Sequence, residues 1–65
     1  MKNLTIETLT DSIFDNGRMD LLFNVDGKIY MASGKAPEGS YTDEDYWEDE
    51  KNLADFLEDA EIEER

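Results

Sequence analysis

MDLLFNVDGKIYMAS, Met19 to Ser33, is the stretch whose reading decides how this 65-residue chain folds. Met19, Leu21, Phe23 and Val25 alternate with Asp20, Leu22 and Asn24, the period of a strand with one buried face. Asp26-Gly27 follows, and then a second apolar run, Lys28-Ile29-Tyr30-Met31-Ala32. A two-residue Asp-Gly loop between such runs predicts a β-hairpin, because a type I′ turn needs positive φ at both central positions. The turn sets the register: Val25 opposite Lys28, Phe23 opposite Tyr30 and Leu21 opposite Ala32. One face then collects Met19, Leu21, Phe23, Val25, Tyr30 and Ala32 and should be the core. The other carries Asp20, Leu22, Asn24, Ile29, Met31 and Ser33. Its Leu22, Ile29 and Met31 are either covered by residues 9–18 or left as a contact surface, and covering is the expectation.

Working outward, Leu4-Thr5-Ile6-Glu7-Thr8 also alternates and predicts a strand at about 3–8. The segment from Leu9 to Arg18 is ambiguous. Asp11-Ser12 can cap a short turn that buries Ile13 and Phe14, and Asp15-Asn16-Gly17 is a turn signal. Downstream, two glycines and Pro37 make 34–40 a loop. It is not a phosphate loop. Its spacing does not match, no Lys-Ser/Thr pair stands at the turn, and the following helix opens with three acids.

That helix is expected over about 43–62. Thr42 suits an N-cap, with Asp45 as its capping-box partner, and Asp43, Glu44 and Asp45 suit the positive end of the helix dipole. Tyr46, Leu53, Phe56, Leu57 and Ala60 recur at helical spacing and should lie on the sheet. Asn52 can cap a second helix, so the expectation leaves open a kink near Lys51. Ile62 falls on the polar side, and the last five residues should fray. Glu44, Glu48, Asp55 and Asp59 point outward, about 6, 10 and 6 Å apart along an ideal helix. Phosphates on a DNA strand have comparable spacing, but any acidic helix yields such a pattern, so the geometry permits mimicry without indicating it. The expected fold is a single α+β domain, residues 1–65. It has an antiparallel sheet of about three strands (about 3–8, 19–25 and 28–33) with the acidic amphipathic helix on one face.

Composition narrows the function. The net charge is −12, and residues 43–65 hold 12 of the 18 acids against Lys51 and Arg65. Such a field attracts basic surfaces and repels nucleic acid and anionic lipid, although acidity for solubility alone would look the same. The chain has no Cys and no His. That removes disulfides, the usual general base, the thiol nucleophile and the common transition-metal ligands. With the acids on a solvated helix, no catalytic carboxylate pair or cleft is expected, and the protein is read as a non-enzyme without cofactor or metal. An EF-hand begun at Asp43 puts Glu48 where glycine belongs and Ala54 where the bidentate Glu belongs, so it fails. Neither a signal peptide nor a membrane span is apparent, which suits the cytoplasm.

From Trp47-Glu48-Asp49 through Glu64 the chain resembles the acidic C-terminal helix of the phage antirestriction DNA mimics. In size, charge and strand-then-acidic-helix layout it is also similar to several small anti-CRISPR proteins of phages. The antirestriction proteins are longer and largely helical, with no counterpart of the hairpin. The resemblance implies that Asp43, Glu44, Asp45, Glu48, Asp49, Asp55, Glu58 and Asp59 stand in for phosphates. The expected partner is a basic nucleic-acid-binding protein such as a CRISPR effector or restriction enzyme, met in the host cytoplasm if the protein is viral. Trp47 lies at the edge of the apolar arc and is expected first as core rim; it would anchor that interface if exposed, with Tyr41 and Tyr46 next. The alternative is a small adaptor or regulator, including an antitoxin, binding through the apolar hairpin face. A homodimer is a further way to stabilise so short a chain.

Overall fold

Two glycine turns string the sheet together. The computed structural model describes residues 3–65. Strand β1 (Leu9–Asp15) turns at Asn16-Gly17 into β2 (Arg18–Val25), which turns at Asp26-Gly27 into β3 (Lys28–Lys35). All four turn residues have positive φ (50°, 83°, 54° and 86°), as type I′ turns demand. Asn24 Oδ1 accepts the Gly27 N–H at 3.1 Å and tightens the second turn. The chain then crosses one face of the sheet through a loop and a 3-10 turn (Tyr46–Glu48). Helix α1 (Glu50–Asp59) follows, and β4 (Glu61–Glu64) closes the sheet antiparallel to β3. The strand order is β1-β2-β3-β4.

The hairpin register is the one its turn dictates, with Val25 opposite Lys28, Phe23 opposite Tyr30 and Leu21 opposite Ala32. Met19, Leu21, Phe23, Tyr30 and Ala32 are buried, and Val25 packs against them half-covered. Phe23 and Leu21 are fully enclosed, a burial worth about 1.5–3 kcal/mol each. Leu53 and Phe56 of α1 and Trp47 of the 3-10 turn complete the core. Gly34 makes room for them: a Cβ built there would lie 3.4 Å from the Phe56 ring.

Four expectations are corrected. Residues 3–8 are not a strand. Thr8 Oγ1 accepts the Thr5 N–H at 3.0 Å and donates to the Asn3 carbonyl, and the Leu9 N–H reaches the Thr5 carbonyl at 3.0 Å. The hydroxyl offers the backbone a turn in place of a ladder, and Leu4 still reaches the core. Second, residues 9–18 do not cover Leu22, Ile29 and Met31. They form β1 and its turn, beside β2 in the sheet, with a register shift between Leu9 and Asp11.

Third, the expected C-terminal helix is present but runs over Glu50–Asp59, not 43–62. Asp49 is extended (φ −89°, ψ 116°) and separates the 3-10 turn from α1. Its Oδ1 accepts the Lys51 N–H at 2.9 Å, so Asp49 is the N-cap, not Thr42 or Asn52. Asn52 instead donates to the Tyr46 carbonyl at 3.1 Å and ties the two pieces together. Six acids without a base over 43–50 disfavour one continuous helix, because like charges on neighbouring turns repel. Fourth, residues 61–64 do not fray but form β4. Ile62 pairs opposite Ala32 and packs on the core, which accounts for its wrong phase as a helical residue.

Candidate functional site

The acids singled out in the sequence lie on the surface but not on one rod. Asp43, Glu44 and Asp45 sit in the loop before the 3-10 turn, Glu48 within it and Asp49 at the break; all are exposed. Asp55, Glu58 and Asp59 are exposed on α1. The break at Asp49 therefore divides the array of Glu44, Glu48, Asp55 and Asp59, and the regular phosphate-like spacing of a single helix is lost.

The structure does bring Asp43, Asp45 and Glu48 together. Asp43 Oδ1 accepts the Asp45 N–H at 2.9 Å, and the Tyr46 and Glu48 amides bond back to the Asp43 and Asp45 carbonyls at 3.1 and 3.0 Å. This compact fold of the backbone crowds the carboxyl groups. A hydrogen bond with the Asp45 carboxyl, and then its charge, raise the Glu48 pKa above its ordinary value, with slight burial and the Asp43 charge adding to the effect.

Little of this charge is neutralised within the chain. Among the described residues the ion pairs are Lys51–Asp55 at 3.1 Å and Lys28–Glu64 at 4.0 Å, both solvent-exposed. Among the described residues no basic group lies within ion-pair distance of Asp43, Glu44, Asp45, Glu48, Asp49 or Glu50. The described residues also contain no group of three or more carboxylates arranged to hold a metal ion, and no helix long and apolar enough to cross a membrane.

Trp47 is not on this surface. It is 6% exposed, packs edge-on against Phe56, and its Nε1 has no hydrogen-bond partner among the described residues. It belongs to the core and cannot anchor an interface. Tyr46 is half-buried beside it, in edge contact at 4.8 Å. The exposed aromatics are Tyr41 (53%) and Phe14 (44%), stacked with centroids 4.4 Å apart and planes at 21°. They border a groove of about 250 Å³ that also takes in Ser12, Thr42, Asp43 and Glu44. Phe14 was not legible as a surface residue while 9–18 was ambiguous. The Asn16-Gly17 turn was its signal, since a two-residue hairpin there sets Phe14 opposite Met19 at the margin of the core face.

No protein-family model matches the chain, and no curated protein or solved structure matches it.

Proposed function

We propose that the protein is a non-enzymatic inhibitor that occupies the basic nucleic-acid-binding surface of a larger protein. The observation that supports this reading is the block of six carboxylates over 43–50 with no basic partner among the described residues. A charge left unpaired at such density meets a cationic surface at little cost in broken internal contacts, and it speeds encounter through long-range attraction. In place of a phosphate-spaced rod, the block is a short patch held by backbone hydrogen bonds. The target would be a CRISPR effector, a restriction enzyme or a similar basic protein of the cytoplasm, and an antitoxin against a basic toxin would share the same electrostatics. The test is retention of nucleic-acid-binding proteins on the immobilised protein, with release by salt or duplex DNA. Glu44→Lys, Asp45→Lys and Glu48→Lys together should abolish retention with the fold unchanged. A partner held regardless of charge reversal, DNA and salt refutes the reading.

A second reading has its own support. Because β1 lies beside β2 and not over it, Leu22, Ile29 and Met31 stay half-exposed and outside the core cluster. An adaptor or regulator would bind through that face, and Leu22→Asp with Met31→Asp should then abolish binding that salt leaves intact.

A further inference from the structure

Strand β1 is an edge of the sheet, paired on one side only, and six of its seven residues are exposed. The two-residue turn makes Asp15 and Arg18 a hydrogen-bonded pair, so by alternation Ile13 and Asp11 also bond toward β2. The N–H and C=O groups of Ser12 and Phe14 therefore point away from the sheet. One of these is covered: Asp11 Oδ1 accepts the Ser12 N–H at 2.9 Å. The opposite edge, β4, is shorter at four residues, three of them Glu. Unpaired strand edges are templates for a further strand, and proteins commonly shield them with charge.

We infer that the β1 edge is a docking site for an extended basic segment of a partner protein. The segment would pair with Ser12 and Phe14 as an added strand and lay a guanidinium on the Phe14–Tyr41 stack. Charge selects this occupant. Asp11 and Asp15 lie on the strand, and Asp43 and Glu44 line the groove beside the aromatic pair. A second copy of this chain would bring another −12 to the same edge. A basic side chain on the incoming strand gives the Asp11 carboxylate a better partner than the Ser12 amide, which frees that amide for pairing. Arginine in particular suits an exposed aromatic face flanked by carboxylates. The inference rests on the proposed function for the sign of the partner and adds the place and mode of contact.

The probe is an end-blocked eight-residue peptide alternating arginine with valine, compared with the same peptide N-methylated throughout, which keeps the charge and cannot donate backbone hydrogen bonds. Binding is followed by amide NMR of the full chain at low salt. The expected result is slowed hydrogen exchange at Ser12 and Phe14, at least tenfold weaker binding of the N-methylated peptide, and about fivefold weaker binding to Phe14→Ala. Equal binding of the two peptides, with shifts confined to 43–50, overturns the inference and leaves the basic-partner reading standing. No binding of either peptide overturns both.

Discussion

The Trp47 indole meets the Phe56 ring edge-on, with centroids 5.2 Å apart and planes at 73°, and so joins the 3-10 turn to α1 across the break at Asp49. Both rings are buried. Truncating either to alanine should cost about 3–5 kcal/mol, the whole stability margin of a domain this small. Softer changes measure the contact itself. In a urea double-mutant cycle of Trp47→Leu and Phe56→Leu, the coupling should be about 0.5–1.5 kcal/mol. A coupling near zero would show that the two rings are merely neighbours.

Gly34 faces the same ring. A Cβ there lies 3.4 Å from Phe56 and 3.7 Å from the Ala60 backbone, an ordinary contact with no room beyond it. Gly34→Ala should change stability little, whereas Gly34→Val should lose about 1–3 kcal/mol despite valine's preference for strands. Thermal melts of the pair decide the matter, and equal melting temperatures would argue against close packing of Phe56.

The cap of α1 makes a cleaner contrast. Asp49→Ala removes the carboxylate that holds the Lys51 N–H and should cost about 1 kcal/mol. Thr42→Ala removes only a 3.4 Å bond to the Gly39 carbonyl and should cost little. Urea midpoints in the reverse order would mean that the helix begins at Thr42 after all.

Glu48 sets a pH dependence. Its raised pKa means that the folded chain keeps this proton to higher pH than the unfolded chain does. Between the two values the folded state binds more protons, so this group's effect on stability becomes less favourable as pH rises through that window. Glu48→Gln cannot titrate. Its melting temperature relative to the parent should therefore climb from about pH 4 to about pH 7. A constant difference across that range would remove the crowding with Asp45 from the account.

The hairpin was legible because its evidence is local: alternation and an Asp-Gly turn fix both faces and the register within fifteen residues. Asn16-Gly17 carried the same kind of signal, but the strand before it, Leu9–Asp15, lacks clean alternation because it is an exposed edge with a bulge. Thr8 misled for a different reason. A threonine fits a strand pattern, and here its hydroxyl closes a turn instead. In the acidic third, the apolar spacing of Leu53, Phe56 and Leu57 located α1, while the acids on either side hid its ends. Asp49, Asn52 and Thr42 are all good caps in sequence, and tertiary packing of Trp47 and Ile62 chose among the possible boundaries. The candidate site suffered most, because surface acids leave no periodic trace and the exposure of Phe14 depends on a strand that alternation did not reveal.

The β3–β4 pairing has a kinetic consequence. Strands β1 to β3 are joined by two-residue turns and can form through contacts close in the chain, whereas β4 must find β3 across residues 36–60. It is held by four residues, and Ile62 alone among them packs on the core. Local opening should therefore begin there, with the amide of Glu63, which bonds toward Met31, exchanging well before those of Leu21 and Phe23. The last strand to join would be the first to leave, and its departure would bare the backbone of β3 while the three-strand meander stayed paired.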